Sequence, residues 1–259
     1  MSVLNTATAP ITPTSALWRL IKVEMKLCLR DKVGPIWGVG FPLLLLIILG
    51  NVPALREPKE ANGGLTDFDT YVPVLILFTL AILSLTALPT MLTAYRENGV
   101  LRRLSTTPIS PSRVLTAQLV ANFSIAVVAV ILFLVVAKFG FGVQLPQNPG
   151  GFALAWLLGA AALLSIGLVI AALAPGRGAA SAIGTVLFFP MMFFAGLWLP
   201  ITQMPALLRN ISEYTPLGAG VPALQEATQG HFPSAQPLVI LAAYAIVCTV
   251  IAVRWFRWE

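Results

Sequence analysis

Few residues in this 259-residue chain are of the types that carry out chemistry. Nucleotide hydrolysis at a phosphate-binding loop requires Gly-Lys followed by Ser or Thr. The five lysines are followed instead by Val23, Leu27, Val33, Glu60 and Phe139. The sequence therefore has no such loop, and we expect no ATP hydrolysis by the chain itself.

Serine–histidine hydrolysis and metal binding are equally unsupported. The chain has one histidine, His231, and the serine best placed among small residues is Ser181. The membrane spans predicted below put these two residues on opposite sides of the bilayer, so they cannot form a catalytic pair. The two cysteines, Cys28 and Cys248, belong to different elements, so neither a disulfide nor a metal site is expected.

The composition indicates an integral membrane protein. Hydrophobic residues make up 58% of the chain and charged residues 10%, whereas soluble domains are about 25% charged. Six apolar stretches have lengths close to the ~20 residues that a helix needs to cross a bilayer. We therefore predict an all-α fold with six transmembrane helices. They cover residues 34–52, 71–94, 112–137, 151–174, 179–199 and 235–254.

The positions of the acidic residues indicate which energy source could drive transport by such a protein. All ten lie outside the six stretches or at their edges. Carriers driven by protons or sodium typically hold Asp, Glu or His at membrane depth as the coupling group. Active transport by this chain would therefore need work from another polypeptide. Because some sodium carriers bind their ion through backbone carbonyls, an ion-coupled carrier stays open as an alternative, as does a non-catalytic channel or membrane scaffold.

Basic residues accumulate on one predicted side of the membrane. The N-terminal segment, the 95–111 connection with the adjoining Arg113, the 174–179 connection and the C-terminus hold 12 of the 16 Lys and Arg residues. Because positively charged loops stay in the cytoplasm, both termini are predicted to be cytoplasmic in a multi-pass protein. The net charge of +6 then reflects topology, and no nucleic-acid partner is expected.

We divide the chain into a cytoplasmic N-terminus, residues 1–33, and a six-span domain, residues 34–259. Residues 15–32 predict an amphipathic helix with a basic stripe formed by Arg19, Lys22, Lys26 and Arg30, spaced 3, 4 and 4 residues apart. Such a helix lies among lipid headgroups with its cations toward anionic lipid. A solvated extension is the alternative.

The connection between the fifth and sixth spans, residues 200–234, contains five prolines and is too apolar for an ordinary water-exposed loop. Its pieces are too short to cross a bilayer. We therefore predict short helices that lie in, or re-enter, the outer leaflet.

Two segments resemble the ABC type-2 transporter permease family, whose members are the membrane subunits of bacterial exporters of drugs, antibiotics, polysaccharides and lipids. One is Arg96-Glu97-Asn98-Gly99-Val100-Leu101-Arg102-Arg103-Leu104, followed by Thr106-Thr107-Pro108. The other is Phe194-Ala195-Gly196-Leu197-Trp198-Leu199-Pro200, followed by Met204-Pro205 and Tyr214-Thr215-Pro216-Leu217. The daunorubicin-type drug exporters are the most similar branch that we can suggest.

The resemblance implies a subunit without catalytic residues in the bacterial cytoplasmic membrane. It implies two copies of a separate cytoplasmic ATPase that bind ATP and Mg²⁺, and a second permease in a homodimer or heterodimer. It also implies a coupling helix over about residues 95–107 that docks on the ATPase. The residues matching that segment are Arg96, Glu97, Gly99, Leu101, Arg102, Arg103, Leu104, Thr107 and Pro108. A basic loop that only sets the orientation of the chain is the alternative for this segment.

Candidates for a substrate path come from two predicted spans. Gln118 and Asn122 in the third span could face a path, or could form hydrogen bonds between helices. The aromatic run of the fifth span could line a lateral route for an apolar compound, or could serve packing and lipid contact. The candidate residues of this run are Phe189, Phe193, Phe194 and Trp198.

Overall fold

The computed structural model describes residues 13–30, 36–58, 66–100 and 111–255. The helices in chain order are α1 (Pro13–Arg30), α2 (Phe41–Gly50), α3 (Asp67–Ile82), α4 (Leu88–Glu97), α5 (Pro111–Phe141), α6 (Pro149–Leu173), α7 (Arg177–Phe194), α8 (Ala206–Glu213), α9 (Pro216–Thr228) and α10 (Ala235–Trp255). A π-helical turn, Ile36–Gly40, precedes α2, and a second one, Leu83–Ala87, joins α3 to α4. No strand occurs within these ranges, which confirms the all-α prediction.

Five continuous helices in the described ranges have the length and apolar composition to cross a membrane: Asp67–Glu97, Arg113–Phe141, Pro149–Leu173, Arg177–Phe194 and Ala235–Trp255. The predicted first span, 34–52, contains a shorter apolar helix, Ile36–Gly50, which at 1.5 Å per residue is about 22 Å long. Asn51 ends this helix, since its side-chain amide donates to the carbonyl of Ile47 at 2.8 Å.

The rod formed by α3 and α4 lies at the centre of the bundle. It packs against α2, α5, α6, α7 and α9, and its leucines supply much of the buried core. More than half of the residues in α7 and in α10 are left exposed by the other helices. The α3 and α4 helices therefore form the buried centre against which the neighbouring helices pack.

The bundle has two ends, which we name by a residue at each. At the Glu97 end α4 and α6 finish, and α5 and α7 begin. At the Thr66 end α3 and α6 begin, and α5 and α7 finish. A hydrogen bond from Tyr95 to Glu24 places α1 at the Glu97 end. The α10 helix starts beside α6, where Pro233 packs against Gly151, and runs with it past Ser165. Both ends of the described chain therefore approach the Glu97 end.

The 200–234 connection contains two short helices, α8 and α9, in agreement with the prediction. The α9 helix starts where the Thr215 hydroxyl accepts the Gly218 N–H at 3.1 Å and Pro216 occupies the first turn. Most of α9 is buried against α3, α6 and α10. Gln225 ties it to α3 by donating to the carbonyl of Thr70 at 3.0 Å. The α9 helix is therefore part of the core, whereas most residues of α8 are exposed.

The basic α1 helix spans Pro13–Arg30, close to the predicted 15–32. It packs on α5. Lys22, Lys26 and Arg30 are exposed, and the Lys22 ammonium lies 5.5 Å from the ring centre of Trp18. The side chain of Arg19 lies outside the described part of the chain. That α1 lies in a headgroup layer stays a prediction.

The start of α3 provides a test of local stability. Thr66 and Asp69 form a capping box, in which the Asp69 N–H donates to the Thr66 hydroxyl and the Thr66 N–H donates to the Asp69 carboxylate, both at 3.0 Å. We predict that Thr66→Ala costs about 1 kcal/mol and lowers the Tm by about 2–4 °C, measured by thermal unfolding in detergent. Thr202→Ala, at an exposed threonine that caps no helix, is the control, and an equal loss in both variants contradicts the capping role.

Candidate functional site

The last turn of α4 holds three consecutive polar residues, Tyr95, Arg96 and Glu97. Successive side chains on a helix point about 100° apart, so the three leave α4 in different directions. Each one bonds a different element: Tyr95 bonds α1, Arg96 bonds the end of α6, and Glu97 bonds the start of α7. We call these residues the α4 anchor.

Glu97 caps α7 from another helix. Its Oε1 accepts the backbone N–H of Arg177 at 2.9 Å. The residue in the N-cap position is Gly176, which has no side chain to cap with, and a Cβ there would overlap Glu97 Oε1. A carboxylate at a helix N-terminus satisfies an unpaired N–H and meets the positive end of the helix dipole. Gly176 thus provides the space for a capping group supplied by α4.

Arg96 bonds the C-terminal end of α6, whereas Glu97 bonds the N-terminal end of α7. Its guanidinium donates to the carbonyl of Ala174 and, at 3.5 Å, to that of Ala171. The last carbonyls of a helix lack partners in their own helix, and a cation is favourable there. Together Arg96 and Glu97 hold both sides of the turn that joins α6 to α7. The predicted topology placed this turn and the end of α4 on the same side, but their contact was not predicted.

Tyr95 connects the anchor to α1. Its hydroxyl donates to Glu24 at 2.8 Å, and Glu24 is only 5% exposed. Burial raises the pKa of the Glu24 carboxyl above its ordinary 4.5, and the hydrogen bond from Tyr95 partly opposes that rise. Glu24 was not among the residues predicted from the sequence, although an acidic residue within a basic amphipathic helix is a signal that could have identified it.

Gly99 terminates α4. Its φ of +64° is a left-handed conformation that favours glycine, and its N–H donates to the carbonyl of Arg96 at 3.1 Å. Residues 95–97 therefore belong to α4, and any separate coupling helix starts after Gly99 instead of at residue 95. The other residues of the predicted coupling segment lie outside the described ranges: Leu101, Arg102, Arg103, Leu104, Thr107 and Pro108.

The polar candidates of the third span are buried inside the subunit. The Gln118 amide donates to the sulfur of Met91 at 2.7 Å, and Asn122 donates to the carbonyl of Gln118 at 3.0 Å. Gln118 therefore connects α5 to α4, in keeping with the interhelical alternative. Within the described part of the chain no open path reaches either side chain in this conformation, since both are almost fully buried.

The aromatic candidates fall into two groups. Phe189 and Trp198 are both 55% exposed, and their rings stack at 6.2 Å with an angle of 19° between the planes. Phe193 and Phe194 contact each other edge to face at 5.4 Å and are half-buried. Phe189 and Trp198 thus present an apolar surface outside the described core, and Phe193 and Phe194 belong more to the packing.

A cavity of about 540 Å³ opens at the Thr66 end. It lies between the start of α3, the turn after α7 and one side of α9, and it was not predicted from the sequence. Its lining is mixed. The polar side chains are Asp67, Thr70, Tyr71, Thr202, Gln203, Gln225 and Gln229, and the others include Leu55, Val74, Ile201 and Val221. These residues come from segments far apart in sequence, so no local motif identifies the cavity.

The sequence profile of the family described as ABC-2 type transporter matches residues 15–229, which include α1, the α4 anchor and α9. The chain belongs to the ABC-2 type transporter membrane family. A relative from Bacillus subtilis (strain 168), named "Putative transport permease YvfS", is 23% identical over 228 residues, which cover 86% of this chain and 90% of the relative.

The family assignment fixes the general role of the chain. It is the membrane permease subunit of an ABC-2 type transporter, a multi-pass protein without ATPase activity of its own. Permeases of this family typically work with an ABC ATPase. Within this subunit, Arg96 and Glu97 of the α4 anchor bond helix ends, and Tyr95 bonds α1.

The Glu24–Tyr95 contact predicts a pH dependence. Because the pKa of Glu24 is raised, its neutral form is favoured when α1 is docked, so docking is strongest below pH 4.5 and weakens as the pH rises through the raised pKa. A nitroxide at exposed Val23 should become more mobile over this range. In Glu24→Gln, which keeps a neutral acceptor, the mobility should stay low and flat. Equal pH profiles in the two proteins contradict the assignment.

Proposed function

We propose that this permease moves a hydrophobic or amphipathic substrate, such as a drug, an antibiotic or a lipid-like molecule, out of the cell. Two copies of a cytoplasmic ABC ATPase bind at the Glu97 end and supply the work, and ATP and Mg²⁺ bind to those subunits. A second permease, identical or related, completes the path, because one six-helix subunit encloses little space and a two-fold pair places a path at the shared interface.

The observation that carries this proposal is the α4 anchor. The chain segment that follows it matches the family's coupling segment and leads directly out of the anchor. Force applied to that segment reaches α1, the end of α6 and the start of α7 through hydrogen bonds made by three adjacent residues. A loop that only set the orientation of the chain would need none of these bonds.

The distribution of charge supports a cytoplasmic Glu97 end. Both ends of the described chain approach this end, and the exposed cations of α1 lie there. Cations near a membrane stay on the cytoplasmic side and are attracted to anionic lipid. The Thr66 end and its cavity then face the outside, which is the direction of export.

The substrate class is supported by the exposed Phe189–Trp198 pair and by the cavity at the Thr66 end. An apolar compound can contact the aromatic pair from the lipid. The cavity combines hydrogen-bonding amides and hydroxyls with aliphatic side chains, and its volume is in the range of ligand pockets. Such a lining suits a molecule that has both a polar and an apolar part.

The coupling role of Glu97 can be tested in the complex with the co-encoded ATPase. We predict that Glu97→Ala lowers permease-dependent stimulation of ATP hydrolysis about 5–10-fold, which corresponds to a coupling energy of about 1–1.4 kcal/mol. Gly176→Ala should match it, because the added methyl displaces the same carboxylate from α7. Leu101→Asp should have a larger effect and abolish export and stimulation, since an aspartate cannot make the apolar contact with the ATPase that we propose for Leu101. Membrane insertion should be intact in all three variants.

The matched control is Glu213→Ala, which removes an exposed carboxylate at the other end of the bundle and should leave stimulation unchanged. Normal stimulation in Glu97→Ala would remove the basis of the proposal. Uphill transport by the permease alone in ATP-depleted vesicles with an ion gradient would favour the carrier alternative instead.

The role of the cavity in substrate binding can be tested separately. The assay measures transport of amphipathic probes, such as ethidium or daunorubicin, into inverted vesicles. Gln203→Leu with Gln229→Leu removes two exposed amides from the lining. We expect KM for the probe to rise about 5–10-fold, the equivalent of about one hydrogen bond, with little change in maximal rate. Gln236→Leu, at an exposed glutamine on α10 that does not line the cavity, should leave KM unchanged. An equal KM in wild type and the double variant contradicts a role for the cavity.

A further inference from the structure

The central rod contains a π-helical turn, Leu83–Ala87, between α3 and α4. In this turn the N–H of Leu88 donates to the carbonyl of Leu83, five residues back, so the turn holds one more residue than an α-helical turn. Leu83, Ser84 and Leu85 are buried inside the bundle, and Thr86 and Ala87 are half-buried. Single π turns within α-helices occur frequently at functional positions.

Two glycines from neighbouring helices contact this turn. A Cβ on Gly167 of α6 would overlap the carbonyl oxygen of Ser84, and a Cβ on Gly184 of α7 would overlap that of Leu85. Pro89 follows the turn and has no N–H to offer the carbonyls before it. The Cα–H groups of the two glycines face these carbonyls instead. They are weak hydrogen-bond donors, so they stabilise the backbone less than N–H groups would.

The turn holds one serine and one threonine, and the two differ in their hydrogen bonding. Thr79, Thr86, Thr90 and Thr93 lie on the same rod, and each hydroxyl donates to the carbonyl four residues back, at 2.6–3.1 Å. Ser84 is fully buried, and its hydroxyl has no partner among the described residues. Because Thr86 makes its bond from within the π turn, the π geometry itself permits such bonds.

We propose that the π turn is a swivel between the two halves of the rod, and that Gly167 and Gly184 are the positioning residues on which it turns. When the turn tightens to α geometry, it holds one residue fewer and α4 rotates relative to α3. The inference rests on the proposed function, because the ATPase supplies the force that drives α4 between the two states.

The attachments of the two halves agree with this motion. The start of α3 is fixed at the Thr66 end by its capping box and by the bond from Gln225 to Thr70. The end of α4 is fixed to α1, α6 and α7 by the anchor. A rotation between them moves the Glu97 end while the cavity wall formed by α3 stays in place.

The test uses the permease in complex with its ATPase in lipid nanodiscs. Deletion of Ser84 removes the extra residue and should leave a continuous α-helix. Gly184→Ala should block the swivel by displacing the Leu85 carbonyl. We expect both variants to assemble with the ATPase and to lose about 10-fold or more of the permease-dependent stimulation. Gly178→Ala is the control on the same helix, because its Cβ meets nothing within 4 Å.

A distance measurement separates the swivel from a merely structural role. Nitroxides at exposed Asn98 and Phe139 report the position of the end of α4 relative to the Thr66 end. In wild type we expect their distance distribution to shift between the nucleotide-free and vanadate-trapped states, and in the Ser84 deletion we expect no shift. An unchanged distance in wild type, or full stimulation in the deletion variant, overturns the proposal.

Gly184→Ala covers the case in which the deletion variant fails to fold, because it keeps the length of the chain. It should abolish the distance change between positions 98 and 139 while the complex with the ATPase still assembles. A wild-type distance change in Gly184→Ala contradicts the swivel. If the wild-type permease itself neither binds nor stimulates the ATPase, the proposed function fails, and that result is distinct from all of these.

Discussion

The structure depends on the rule that polar groups in an apolar bundle must find partners inside it. With 10% charged residues, the chain has few side chains that can satisfy the free N–H and carbonyl groups at helix ends. The α4 anchor satisfies two helix ends at once, since Glu97 takes the N–H of Arg177 and Arg96 takes the carbonyl of Ala174. In the proposed function the same bonds also transmit movement, because a helix end bonded to α4 moves with α4.

Helix existence could be predicted from the sequence, whereas helix contacts could not. The apolar stretches predicted five of the six spans close to their observed bounds, because length and hydropathy are local properties. The described part of the first span, Ile36–Gly50, ends two residues before the predicted bound, where Asn51 occupies the C-cap position. The short helices of the 200–234 connection were also expected from their prolines, but the burial of α9 depends on its neighbours and is not visible in its own residues.

The same division applies to the site. Motif resemblance identified Arg96 and Glu97, yet their partners are backbone groups of the turn after α6, and backbone groups have no sequence signature. Glu24 and Tyr95 are 71 positions apart and meet because α1 folds back on the bundle. Gln118 was open to two interpretations, and its contact with Met91 depends on how α4 and α5 pack together. Side-chain type shows what a residue can bond, and the fold determines what it meets.

The rod of α3 and α4 connects the cavity at the Thr66 end to the α4 anchor at the Glu97 end. Its two halves have different kinds of neighbours, a mixed polar and apolar cavity at one end and the helix ends held by the anchor at the other. A uniform α-helix between them would carry any rotation of α4 directly into the cavity wall. The π turn, with a proline after it and one glycine against each of the carbonyls of Ser84 and Leu85, interrupts the regular α-helix between the two halves. Under the proposed swivel, the two ends can therefore change one after the other, as the proposed export requires.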